Sequence, residues 1–66
     1  MNYNEFLNFC ITQKIKRTRE GIDPTFIVMN KFSFDILSDG LIKNDVISPL
    51  KILISENLKN HEIKIG

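Results

Sequence analysis

The stretch "PTFIVMNKFSFDIL", residues 24–37, changes its hydrophobic pattern at a single residue, Asn30. The continuous apolar run before it, residues 26–29, contains a β-branched pair and is typical of a short strand covered on both faces. After it, apolar residues from Phe34 to Leu41 recur on one side of a helix. The Asn30 side chain can accept a hydrogen bond from a backbone N–H of the first turn and so begin that helix. The stretch therefore predicts a strand followed directly by a capped helix.

An amphipathic helix is predicted ahead of this unit, over residues 2–18. Five side chains fall at the spacing of one buried helical face: Tyr3, Phe6, Leu7, Cys10 and Ile11. Asn2 is placed to cap this helix, and Glu5 follows three residues later in an arrangement close to a capping box. Gly21 marks the end of the helix, because glycine can leave a helix with a positive φ.

The C-terminal half predicts two more strands. Asp39-Gly40 is expected to close the second helix or turn the chain, and residues 41–48 then form a loop with at most a turn of helix, ended by a proline. The segments "LKILIS", residues 50–55, and "EIKI", residues 62–65, have strand patterns. Because only a polar connection separates them, we expect them to pair as a hairpin.

Together these elements predict a single α+β domain over residues 1–66, with the order α-β-α-β-β. Its three-stranded sheet, with strands at about residues 26–29, 50–55 and 62–65, includes the C-terminal hairpin and is covered by the N-terminal helix. A domain of this size buries only about 60% of the surface that its unfolded chain exposes. The core is therefore expected to be thin.

The thin core predicts self-association. The single cysteine excludes an internal disulfide, and Cys10 with the single histidine, His61, cannot supply the four ligands of a structural zinc site. Association with another chain is the remaining common way to stabilise so small a fold. Phe9 lies about 60° outside the apolar stripe of the N-terminal helix, so it either extends the buried face or marks a second contact. We predict a homo-oligomer with Phe9 and Ile15, which flank that stripe, at its interface.

The charge balance argues against a general affinity for nucleic acid or for an anionic membrane. Nine Lys and Arg residues oppose eight Asp and Glu residues, for a formal net charge of +1. No apolar run approaches the roughly 18 residues of a membrane span, and the first residues lack the pattern of a secretory signal. The sequence predicts a cytoplasmic protein with neither a membrane nor a nucleic acid as its partner.

Candidate catalytic and metal-binding residues are not arranged for chemistry. His61 is expected in a polar hairpin loop as a solvated turn residue, without a nucleophile beside it. Cys10 lies in the apolar stripe, as a small buried hydrophobe would. The carboxylates have no metal-loop or glycosidase spacing, and the three glycines are too scattered for a phosphate loop. We predict no catalytic residue, no metal and no cofactor, and hence a protein that is not an enzyme.

The segment "KIKRTR", residues 14–19, is the one candidate binding feature. Cations at the end of a helix complement its dipole, which accounts for one or two of the four basic residues and favours a solvated face. Alternatively, the cluster contacts an anion or an acidic partner, because guanidinium groups bind phosphate with two parallel hydrogen bonds. Lys14, Arg17 and Arg19 are predicted to supply such contacts. Lys14 and Arg17 lie within about 60° of each other on the helix, whereas Lys16 points about 100° away from Arg17 and faces solvent.

Residues 24–65 resemble, in local plan, the A-domain of many major capsid proteins of tailed phages. In that family a proline, an apolar strand and an asparagine open a helix, as in "PTFIVMN" here. A strand and a short loop with an acidic residue and a leucine then follow, as Glu56 and Leu58 do, before a last short strand. This chain is too small to supply the remainder of a capsid subunit. The resemblance thus implies a small phage or prophage protein sharing that plan.

Two hypotheses of function follow. The first is a non-enzymatic phage-type protein that acts through self-association, as an accessory or virion-associated assembly protein. The alternative is an oligomeric binding module that sequesters a small anionic ligand such as a nucleotide, or that inhibits a host defence protein.

Overall fold

The computed structural model describes residues 2–66, except for the side chains of residues 38–43. Its elements are α1 (Tyr3–Arg19), β1 (Phe26–Met29), α2 (Lys31–Lys43), β2 (Lys51–Ile54) and β3 (Lys64–Ile65). The predicted α+β class and the order α-β-α-β-β are confirmed. Within residues 2–66, neither helix combines the length and the apolar character needed to cross a membrane.

The three strands form one mixed sheet with the order β2-β1-β3. β1 pairs with β2 in parallel, with Ile27 opposite Ile52, and with β3 in antiparallel orientation, with Ile27 also opposite Ile65. The predicted hairpin of residues 50–55 and 62–65 is therefore wrong, because β2 and β3 lie on opposite edges. α2 returns the chain so that β2 runs parallel to β1, and the following loop then carries it across to the free side of β1. The most apolar strand thereby gains a neighbour on both sides.

The predicted capping residues are confirmed. Asn2 Oδ1 accepts a hydrogen bond of 2.9 Å from the N–H of Glu5, and Asn30 Oδ1 accepts one of 2.8 Å from the N–H of Ser33. Gly21 has a φ of 84°, as expected of a glycine after a helix. Each cap satisfies a backbone donor that a helix N-terminus leaves without an intrahelical partner.

The end of α2 differs from the prediction. The helix continues through Asp39-Gly40 to Lys43, so the first three residues of the expected 41–48 loop are helical. A glycine within a helix costs only about 1 kcal/mol relative to alanine, too little to end it. Asn44 Oδ1 then accepts from the N–H groups of Val46 and Ile47, at 2.9 and 3.2 Å, and this turn leads the chain toward β2.

Both helices cover the same face of the sheet. The core between them contains Phe6, Cys10, Ile27, Met29, Leu37, Ile47 and Leu50. Ile27 and Met29 alternate along β1 with Phe26 and Val28, which are only half-buried on the opposite face. The prediction of a strand covered on both faces is thus wrong: β1 is central in the sheet, but helices cover one of its faces only.

Candidate functional site

A row of three α1 side chains forms one wall of the candidate site. Phe9, Gln13 and Arg17 are spaced four residues apart, so they lie on one side of the helix. The side chain of Phe9 is half-buried and packs against the core, whereas Arg17 in the last turn is exposed. The row therefore changes from apolar to cationic toward the C-terminus of α1.

β3 and Ile63, the residue before it, form the other wall. Ile63 and Ile65 are half-buried and pack against the core. Phe26 and Gly66 exchange backbone hydrogen bonds, the N–H of Phe26 donating at 3.1 Å and the N–H of Gly66 at 3.2 Å. Because such bonding alternates along an antiparallel strand, the N–H and C=O of Ile65 point away from β1. This edge of β3 thus presents free backbone groups beside the apolar wall.

The two walls enclose an open groove of about 390 Å³, which we call the α1–β3 groove; it is lined by Phe9, Gln13, Arg17, Ile63, Lys64 and Ile65. This volume lies at the lower end of the range of small-molecule sites, about 300 to 1,000 Å³. An apolar lining with a few polar groups is typical of such sites. The groove thus has the size of a small-molecule site, with a mixed lining of three apolar and three polar or charged residues.

Two cations border the groove, and they differ in how they reach it. Arg17 Nη1 lies 3.9 Å from Glu20 Oε2, and both side chains are about half exposed, so this ion pair holds the guanidinium only weakly. Lys64 is opposite Val28 in the sheet register, on the face away from α1. Its ammonium group must therefore reach around the edge of β3. Arg17 is the better placed of the two to contact an anion in the groove.

The structure separates the residues that the sequence grouped together. Arg17, one of three predicted anion ligands, shares the groove with Phe9, one of two predicted interface residues, whereas Lys14, Arg19 and Ile15 do not line it. Lys14 lies on the opposite flank of the buried stripe from Phe9, and its backbone carbonyl accepts a 3.0 Å hydrogen bond from Thr18 Oγ1. Ile15 is 41% exposed on the outer side of α1. The predicted roles of these five residues stay predictions.

Sequence reasoning missed four residues of the groove, which are Gln13, Ile63, Lys64 and Ile65. The row of Phe9, Gln13 and Arg17 could have been found from its four-residue spacing. The β3 residues could not, because the expected hairpin placed this strand beside β2 instead of on the free side of β1.

A second polar cluster surrounds Asn30 at the start of α2. The Asn30 amide Nδ2 donates to the carbonyl of Leu58 at 3.3 Å and to Asn60 Oδ1 at 2.8 Å. Glu56 Oε1 accepts from the N–H of Lys31 at 3.1 Å. These bonds attach the loop between β2 and β3 to the N-terminus of α2, and this explains the cluster as a structural clasp.

His61 belongs to the same loop and is not the solvated turn residue that the sequence predicted. Its ring lies edge-on between Phe6 and Phe32, with ring centroids 5.1 and 5.7 Å away, and its Nε2 is buried without a hydrogen-bond partner. Its backbone has a φ of 64° and donates a 2.8 Å hydrogen bond to the buried Ser33 Oγ. The backbone bond and the two aromatic contacts hold the residue in this strained conformation.

Cys10 is placed in the core and not at the surface. Cys10 is fully buried, and burial raises the pKa of its thiol to about 12, so it stays protonated and unreactive at neutral pH. Among the described residues, no group of three or more His, Cys, Asp or Glu side chains is placed to hold a metal ion.

Comparisons with protein-family models, curated proteins and solved structures found no match to the chain.

Proposed function

We propose that the protein is a non-enzymatic binding module that takes a small amphipathic anion of the nucleotide class into the α1–β3 groove. The observation that carries this proposal is that Arg17 and Phe9 line the same groove. A ligand that joins a flat apolar ring to a phosphate would use both at once. This is the binding alternative of the sequence analysis, with one of its three cations at the centre.

Each lining group has a matching part in such a ligand. The phosphate is held by Arg17 through charge-assisted hydrogen bonds, which are about twice as strong as neutral ones. The ring packs on Phe9 and the β3 isoleucines, where aromatic stacking adds to the burial of apolar area. The Gln13 amide provides donors and an acceptor for the polar edge of a base. Lys64 adds a weaker, screened attraction from the rim.

The test is calorimetric titration of the full chain with adenosine monophosphate and with its two parts, adenosine and inorganic phosphate. We expect the nucleotide to bind at least about tenfold more tightly than either part, because each part contacts only one end of the groove. Raising the salt concentration should weaken the binding of the nucleotide but not that of adenosine, because salt screens only the charged contact. Equal affinities for the nucleotide and for phosphate would overturn the amphipathic site.

A matched pair of variants locates the site. Arg17→Glu should abolish nucleotide binding, whereas Arg19→Glu, two residues away and outside the groove, should leave it unchanged. Both variants make the same charge change at the end of the same helix. The comparison therefore distinguishes a direct contact with the phosphate from long-range electrostatic attraction. Equal losses in the two variants would place the anion outside the groove.

The other hypothesis, a phage-type assembly protein, requires self-association, and a separate observation supports that requirement. The β2 edge of the sheet is free and apolar, and it lies across the sheet from the groove.

A further inference from the structure

The backbone of β2 is paired on one side only. The N–H of Lys51 donates to the carbonyl of Thr25, and the N–H of Ser55 donates to the carbonyl of Met29, both at 2.9 Å. Successive residues of a strand point their N–H and C=O groups to opposite sides. Ile52 and Ile54, which alternate with these residues, therefore direct their backbone donors and acceptors away from β1. In the sheet order β2-β1-β3, no strand formed by residues 2–66 lies on that side.

The residues of β2 itself carry few of the features that usually prevent strand addition. Proteins protect free edges with prolines, bulges or charges that interrupt the edge. β2 contains none of these except Lys51 at its first position. Leu53 and Ile54 are 38% and 48% exposed, which is high for large apolar side chains in a sheet. The edge thus combines free hydrogen-bonding groups with exposed apolar surface.

We propose that β2 pairs with β2 of a second copy of this chain, in antiparallel orientation, around a two-fold axis at Leu53. The two three-stranded sheets then join into one sheet of six strands. This inference does not depend on the ligand proposed above. Because the α1–β3 groove lies at the far edge of each sheet, both grooves remain open in the dimer.

The register follows from which residues are free to bond. With the axis at Leu53, Ile52 faces Ile54 of the partner subunit, and the two such pairs exchange four backbone hydrogen bonds. Moving the axis to Ile52 would require Leu50, whose N–H already donates to the carbonyl of Ile47 at 2.8 Å. Moving it to Ile54 would require Glu56, which lies in the turn after β2 and is not extended. The Leu53 register uses only residues within β2.

The same register also places compatible side chains opposite each other. Leu53 faces Leu53 of the partner subunit in a non-hydrogen-bonded pair, the kind that brings side chains closest, on the face that the helices leave bare. Val28, next to Leu53 in the sheet, adds to this surface. Lys51 faces Ser55 of the partner subunit, so the two lysines stay apart. A second copy is therefore a complementary occupant of this edge in backbone, shape and charge.

The primary experiment measures the mass of the full chain in solution by analytical ultracentrifugation across a concentration series. We expect a dimer at high micromolar concentration. Leu53→Lys should give a monomer, because it places two like charges opposite each other across the axis. The control is Ile15→Lys, since Ile15 has nearly the same exposure on the outer side of α1 and is the interface residue that the sequence predicted. It should leave the dimer intact.

A second variant tests the backbone bonds themselves. Ile54→Pro removes an N–H that points away from β1, so it should dissociate the dimer with no loss of bonds inside the protomer. Circular dichroism of each variant serves as the control for folding. A wild-type monomer at high micromolar concentration would overturn the proposal. So would a dimer that survives Leu53→Lys and Ile54→Pro but dissociates in Ile15→Lys. A failure of nucleotide binding alone would leave the dimer unaffected and would count only against the proposed ligand.

Discussion

The two edges of the sheet differ in how the rest of the chain surrounds them. Beside β3, one flank of α1 supplies an aromatic ring, an amide and a guanidinium, and a groove results. Beyond β2 no described side chain forms such a flank, and apolar side chains are exposed at the strand edge. We have proposed a small ligand for the first edge and another strand for the second. The difference shows that placement of a helix, more than the composition of a strand, decides what an edge can bind.

The largest loss of stability is expected when a side chain of the central strand, next to both edge strands, is truncated. Ile27 is fully buried and stands opposite Ile52 of one edge and Ile65 of the other. Ile27→Ala should lower the free energy of unfolding by about 3 kcal/mol, from lost burial and the remaining cavity. The measurement is urea denaturation. As the control, Ile54→Ala at the half-exposed outer edge should cost less than about 1 kcal/mol in the protomer. Equal losses would mean that the core is not centred on β1.

Removing the hydrogen bonds of Asn30 should destabilise the loop between β2 and β3. Asn30→Ala removes a helix cap and the two hydrogen bonds to Leu58 and Asn60, and we expect a loss of about 2 kcal/mol. Asn60→Ala removes one of these bonds and keeps the cap, so its loss should be smaller. Hydrogen exchange should show β3 amides opening before those of α1. Uniform opening would argue that the clasp does not anchor β3 in particular.

High pH should lower the stability of the whole domain, because Cys10 lies in the core that both edge strands pack against. The Cys10 pKa of about 12 in the folded state lies above its ordinary value of 9.0. Above pH 9 the unfolded chain releases a proton that the folded chain keeps, so stability falls by up to about 1.4 kcal/mol per pH unit until pH 12. Below pH 9 this contribution is constant. Denaturation of wild type and Cys10→Ala at several pH values isolates it, since the variant should lack this part of the slope.

The smallest effect is expected at the rim of the groove. Lys64→Glu should weaken nucleotide binding only about threefold, because its side chain leaves the sheet on the face away from α1. The loss should disappear at high salt. Calorimetry of Lys64→Glu beside Arg17→Glu makes the comparison. A loss as large as that of Arg17→Glu would mean that the ligand extends around the β3 edge.

Some features of the fold were predictable because they depend on neighbours in the sequence. The caps at Asn2 and Asn30, the positive φ of Gly21 and the strand at Phe26–Met29 all follow from local hydrogen bonding and spacing. The end of α2 was not, because the local signal of Asp39-Gly40 is weak against continued helix. The phage capsid resemblance of residues 24–65 and self-association stay predictions.

The sequence by itself determined the class of fold, the order of its elements and the residues that begin its helices, because these depend on side chains a few positions apart. Only the tertiary structure decided which strands are neighbours. The segments at β2 and β3 have similar apolar patterns, and each could pair with the other or with β1. Long-range packing against one helix-covered face placed them on opposite sides of β1. That choice brought Ile63 and Ile65 beside Phe9 and Arg17, and it left the outer edge of β2 free.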